Sequence, residues 1–190
     1  SPLADFRGNS TFEIQEAMDS YPVLTGFPAV EASSSAHMKI STLLSIGFNY
    51  VRGTNGYKDQ ARGRSMFLAV AELTEDPRIY HMVGLLYQKL ESEPDYLKKY
   101  YNWFMRAAEL GNKDAQYEAG RLLLLTDFGN KQKGITLLAL SAAENNMDAQ
   151  FLLGKAYRLG LGVAKDPEEM VFWFRQAASN GSTEAKILLG

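Results

Sequence analysis

The chain contains no cysteine, two histidines and six prolines in 190 residues. Without cysteine there are no disulfides, no thiolate nucleophile and no zinc site built on thiolates. Its absence leaves the compartment open. His37 and His81 fall in different expected helices, and neither belongs to an HxxxH or HExxH pair. No metal and no cofactor is therefore expected, and no catalytic residue is named. Neither sign of charge dominates, with 20 Lys and Arg against 22 Asp and Glu. Basic residues are scattered, so a nucleic-acid partner is not expected. No stretch approaches the roughly 18 to 20 apolar residues of a membrane span. The opening Ser-Pro-Leu-Ala-Asp is not a signal peptide.

What the chain does have is repetition. Ala149 to Tyr157 reads AQFLLGKAY and Ala115 to Leu123 reads AQYEAGRLL, each preceded by an aspartate, Asp148 and Asp114. Ile79 to Tyr87 and Thr42 to Tyr50 keep the same skeleton. Superposing Gly154, Gly120, Gly84 and Gly47 gives steps of 34, 36 and 37 residues. A helical pattern at this period marks a stack of helix hairpins. The glycine costs about 1 kcal/mol against alanine in mid-helix. Its recurrence predicts a neighbouring helix too close for a Cβ.

In the last full unit Ala149, Leu153, Gly154 and Tyr157 share one face of helix A. Helix B follows, with Asp166 as N-cap and Pro167 at the first helical position. Trp173, Ala177 and Ala178 correspond to Trp103, Ala107 and Ala108, and to Leu138, Ala142 and Ala143. This equivalence predicts that both tryptophans pack in the core. Gly111-Asn112 and Asn180-Gly181 end B helices as left-handed caps. Gly160-Leu161-Gly162 joins two helices and is read as a turn, not a phosphate loop. Residues 1–34 do not carry the repeat. A capping box at Ser10–Glu13 predicts a short helix through Met18, followed by a loop over Pro22, Gly26 and Pro28. Glu184 to Gly190 begins another repeat.

These positions resemble Sel1-like repeats, relatives of tetratricopeptide repeats with glycine-marked A–B loops. The resemblance covers roughly residues 36–190, most closely from 79 on. It implies an all-α, right-handed α/α superhelix of about four helix-turn-helix repeats. Residues 1–34 are expected to be an N-terminal capping helix and loop, with the solenoid over 35–190 and its last repeat incomplete. Family members act as adaptors, so the implied function is non-catalytic binding of a protein or extended peptide on a concave face. The alternatives are an inhibitor or immunity protein blocking a toxin or envelope enzyme, and a cell-envelope hydrolase. A cysteine-rich branch linked to β-lactams is set aside, because its paired cysteines are missing. The resemblance, more than any residue, favours a bacterial cell envelope or periplasm over the cytoplasm. Self-association through the apolar C-terminal end is a further possibility.

The resemblance also implies that helix A lines the concave face. Three positions that the repeat leaves variable lie three before, one after and four after the shared glycine, on one i, i+4, i+7 row. They are Phe151, Lys155 and Arg158 in the last full unit, and Tyr117, Arg121 and Leu124 in the one before. Earlier units give His81, Leu85 and Gln88, then Leu44, Phe48 and Val51. The expected partner-binding set is Tyr117, Arg121, Leu124, Phe151, Lys155, Arg158, His81 and Gln88. Its aromatic and basic character suits a peptide with acidic residues or a free carboxylate. Leu44, Phe48 and Val51 are expected to be covered by residues 1–34.

Overall fold

The computed structural model describes residues 35–53, 56, 58–88 and 95–190. The expected cap helix and loop of residues 1–34, and the turn over Leu90–Pro94, lie outside the described residues. Among the described residues there are nine helices and no strand. They are α1 (Ser35–Arg52), α2 (Gln60–Ala71), α3 (Pro77–Gln88), α4 (Tyr96–Glu109), α5 (Lys113–Leu125), α6 (Lys131–Ala143), α7 (Met147–Leu159), α8 (Pro167–Ser179) and α9 (Thr183–Leu189). Odd-numbered helices are the A helices of the repeat and even-numbered ones the B helices. The chain separates into two compact units, one ending at Trp103 and one beginning at Phe104, so the division falls inside α4.

Helix starts are fixed by side-chain caps. Asp59, Asn112, Asn130, Asn146, Asp166 and Ser182 each accept from a backbone N–H of the first turn, where no carbonyl is available. Pro167 occupies the first turn of α8, as the sequence predicts. Gly111, Gly160 and Gly181 have positive φ just beyond helix ends. Asn145 takes the same conformation after α6.

The recurring glycines stand where two helices nearly touch. A Cβ on Gly120 of α5 would lie 2.9 Å from the Gly134 carbonyl oxygen on α6, and one on Gly134 would lie 2.9 Å from the Gly120 carbonyl oxygen. The first hairpin repeats the device with Gly47 and Gly63 on α1 and α2. In α7 the neighbour is a side chain, the Phe174 ring of α8. Phe174 is buried, as are Ala177 of α8 and Ala185 of α9, which share its cluster.

Consecutive hairpins of the second unit pack and are stitched by equivalent hydrogen bonds. Gln116 Nε2 donates to the Ala108 carbonyl and Gln150 Nε2 to the Ala142 carbonyl. Asn180 Nδ2 donates to Gln150 Oε1, and Ser141 Oγ to the Lys113 carbonyl. The larger core cluster gathers Leu124, Leu138, Ala142, Ala149, Leu152, Leu153 and Ala156. Trp173 packs partly buried against it while its Nε1 donates to Glu169. Trp103 stacks on Tyr80 within the first unit, with ring centroids 5.7 Å apart. Both tryptophans are thus packing residues, but half-buried at the margin of the core and not inside it as their repeat position predicts. Leu44, Phe48 and Val51 are buried, and Phe48 meets Phe67 of α2 edge to face.

Candidate functional site

The A helices α5, α7 and α9 belong to the second unit, and their rows are set by helical geometry. Side chains at i, i+4, i+7 and i+11 share a face. On α5 one such row reads Asp114, Glu118, Arg121 and Leu125; on α7 it reads Asp148, Leu152, Lys155 and Leu159; on the shorter α9 it reads Glu184 and Leu188. The aspartates and Glu184 lie in the first turn, where the positive end of the helix dipole favours a carboxylate.

The starts of α5 and α7 adjoin: Asn146 Nδ2, at the α7 cap, donates to Asp114 Oδ1 at 3.2 Å. Burial pushes the Asp148 carboxyl above the usual carboxylate range. The carboxylates of Glu118 and Asp114 on α5 and of Glu184 on α9 push it further, and Arg121 opposes them. One acid on α7 therefore senses acids from the helices on either side of it. They are spaced one or two per helix and do not converge. Among the described residues no three potential metal ligands gather around one point.

Arg121, expected to face a partner, is only 4% exposed and committed elsewhere. Its Nε and Nη2 donate to Glu118 Oε2 at 3.2 and 2.6 Å, and Glu118 is equally covered. An i, i+3 ion pair of this kind stands in for solvent that burial has removed. Leu124 is corrected outright: at 1% exposure it belongs to the core cluster and has no free face for a partner. Tyr117 is half-buried against that cluster. Phe151 is half-buried too, its ring 5.6 Å from Phe174 and packed against the cluster that includes Ala185. The row through these residues slants across the helix and runs into the following hairpin. Lys155 is half-buried with Nζ 5.7 Å from the Phe151 ring centroid, and Arg158 is exposed in the last turn of α7.

His81 and Gln88 are half-buried on α3, in the first unit. The structure thus brings Arg121 and Lys155 into equivalent rows and sends Tyr117, Leu124 and Phe151 into packing between hairpins. Asp114, Glu118, Asp148 and Glu184 lie outside the expected set, although in α5, α7 and α9 an acid directly precedes the repeat alanine, Ala115, Ala149 and Ala185. Leu159, at 49% exposure, and Leu188, at 44%, complete the face.

Paired antiparallel helices with glycines at the crossing and one polar row per A helix define a helix-hairpin solenoid. A family model, the Sel1 repeat, matches residues 80–112 and 148–182. These two segments are similar to Sel1 repeats. A curated relative, protein sel-1 homolog 2 of Rattus norvegicus, is 30% identical over 92 residues, which is 47% of this chain and 13% of that protein. The chain thus spans only a small part of that relative. A Sel1 repeat protein from Oxalobacter formigenes has a crystal structure with a TM-score of 0.66 at 28% identity, covering 79% of this chain and 61% of that one. A protective antigen of uropathogenic Escherichia coli strains with an SLR fold reaches a TM-score of 0.70 at 20% identity, covering 90% of this chain and 34% of that one. These likenesses give the all-α solenoid class expected from the sequence. The Sel1 repeat fold is typically a protein-interaction scaffold. No helix among the described residues is long and apolar enough to cross a membrane.

Proposed function

We propose that this chain is a non-catalytic docking platform whose partner, a protein or extended segment, lies across the A-helix face of α5, α7 and α9. The observation that carries the reading is the set of accessible members of these rows, Asp148, Lys155 and Leu159 on α7, Asp114 on α5, and Glu184 and Leu188 on α9, Glu118, Arg121 and Leu152 being buried. It sets charged groups beside half-exposed leucines, next to a rigid core. Leu159 and Leu188 offer apolar anchors, and charged neighbours set register. Because the helices are locked by caps, glycine crossings and the Gln116 and Gln150 bonds, binding orders little of the platform itself.

The reading is tested by partner co-purification from the native host with single-site variants. Leu159→Asp and Lys155→Glu should each reduce recovery of a bound partner about tenfold, as expected for central interface positions. Leu140→Asp, at an outward and 51% exposed position of α6, should leave recovery unchanged. Recovery lost with Leu140→Asp and kept with the other two would overturn it.

A further inference from the structure

The repeat glycine of each A helix also fixes a second row, four before, one before and three after it, on one i, i+3, i+7 face. It reads Tyr80, Val83 and Tyr87 in α3, Gln116, Ala119 and Leu123 in α5, and Gln150, Leu153 and Tyr157 in α7. In α5 and α7 the preceding B helix covers it. Gln116 Nε2 donates to the Ala108 carbonyl of α4, and Gln150 Nε2 to the Ala142 carbonyl of α6. Leu153 shares its cluster with Leu138 and Ala142 of α6. At the position just before the glycine, Val83 and Ala119 are 0% exposed and Leu153 is 1% exposed.

On α1 the same row reads Leu43, Ile46 and Tyr50, and it is open. Ile46 is 38% exposed, and Leu43 is half-buried where Tyr80, Gln116 and Gln150 are buried. The neighbouring row of α1 is closed by its own hairpin, since Phe48 meets Phe67 and Val51 lies against Gly63. Among the described residues no helix precedes α1, so the place that a B helix takes in α5 and α7 has no described occupant.

The B helices define what fits such a row. Each sets a large buried apolar residue three places before a second buried one: Phe67 and Val70 in α2, Phe104 and Ala107 in α4, Leu138 and Ser141 in α6, Phe174 and Ala177 in α8. Ahead of α1, the helix expected from the Ser10–Glu13 capping box carries Ile14 and Ala17 at that spacing. Chain length permits the return. Residues 19–34 span up to roughly 55 Å when extended, and the 18 residues of α1 about 27 Å. Charge agrees as well. Residues 1–34 hold five acids and one base, a net charge of -4 against -2 for the whole chain, so residues 35–190 carry the opposite sign.

We infer that the open α1 row, Leu43, Ile46 and Tyr50, is the seat of this chain's own N-terminal segment, whose Ile14 and Ala17 pack on it as a B helix does. The inference is independent of the docking-platform reading, which concerns α5, α7 and α9. Seated there, the segment caps the apolar flank of the first hairpin and closes it to a second copy of the chain.

The absence of native cysteine makes the test direct. Single variants of the whole 190-residue chain, Ile46→Cys on α1 and Leu140→Cys on α6, are reacted with Ellman's reagent. Leu140, an exposed position, supplies the open reference rate. Ile46→Cys should react about tenfold more slowly, as for a segment seated about nine-tenths of the time, at a rate unchanged by dilution. Adding Ile14→Asp and Ala17→Asp should bring it within about twofold of the reference, with circular dichroism checking that the solenoid helices are intact. Ala17→Cys combined with Ile46→Cys should oxidise to an intramolecular disulfide, seen as a faster-migrating monomer without reductant, and Ala17→Cys with Leu140→Cys should not. The inference is overturned if Ile46→Cys reacts as fast as Leu140→Cys, if its protection ignores the Ile14 and Ala17 substitutions, or if the Ala17–Ile46 pair does not crosslink. Protection that fades on dilution would overturn it too, and would assign the row to a second copy.

Discussion

Gly120→Ala separates two opposed effects, intrinsic helix propensity and the closeness of α5 to α6. Propensity alone favours the substitution by about 1 kcal/mol, because alanine has less backbone freedom to lose. The structure opposes it. The added methyl would stand 2.9 Å from the Gly134 carbonyl oxygen, 2.9 Å from Leu138 Cγ and 3.1 Å from the Leu138 backbone nitrogen. Two of the three obstacles are backbone atoms of a helix, which cannot turn aside, so the helices must separate by about half an ångström or more. Such a gap forfeits roughly a quarter to a half of each affected dispersion contact. Overpacking in cores costs typically about 1–3 kcal/mol. With two backbone obstacles the cost falls in the upper part of that range, about 2–3 kcal/mol, and less the propensity gain of about 1 kcal/mol the net loss is about 1–2 kcal/mol, a fall in urea midpoint of roughly 0.5–1 M at the slopes usual for small proteins. Gly134→Ala should cost a similar amount. The double variant should cost less than the sum, because one separation serves both methyl groups. The assay is urea unfolding followed by circular dichroism at 222 nm. A Gly120→Ala variant as stable as the parent or more so would refute the close-approach account and leave propensity in charge.

Other outcomes follow from the polar groups of α5 and α7. Arg121→Met should destabilise by about 3–5 kcal/mol by leaving Glu118 buried without its cation; adding Glu118→Met should restore most of the loss in the same urea assay. The Asp148 carboxyl should titrate above the ordinary carboxylate value by carbon-detected NMR, lower in Glu184→Gln and higher in Arg121→Met if that variant is folded under the conditions used. Because this group's folded-state value is raised, the stability it contributes is present below the unfolded-chain value, near pH 4, and is lost as pH rises through the folded value. Asp148→Asn should therefore gain on the parent across that interval, and a urea midpoint difference flat with pH would contradict this.

Much of the architecture was legible because packing repeats its demands. Glycines at the α1–α2, α5–α6 and α7–α8 crossings, paired alanines in α4, α6 and α8 and the capping side chains before α2 and α5 to α9 answer local constraints, and Asp166-Pro167 and Gly120 could be read directly. The binding face was harder. A helix in a solenoid has three packed sides and one open side, and the row through Phe151, Lys155 and Arg158 shares Lys155 with the row through Asp148 and Leu159 and is turned from it by only about 60°. Only contacts with neighbouring helices decide between them. Phe151 against Phe174, and Leu124 within the core, could be assigned only once α6, α7 and α8 were in place. The Glu118–Arg121 pair was present as an i, i+3 spacing. Reading Arg121 without its neighbour turned a neutralised cation into an apparent anion receptor.

The docking platform is tested most directly by placing a photo-crosslinking amino acid at single positions of the chain in its native host. Lys155 and Leu159 report on the A-helix face of α7, while Lys133 and Leu140 report on exposed positions of α6. The account expects one shared partner band from Lys155 and Leu159, none from Lys133 or Leu140, and loss of the band when Asp148→Lys is added. Crosslinks to that partner from the α6 positions, or a band indifferent to Asp148→Lys, would contradict it.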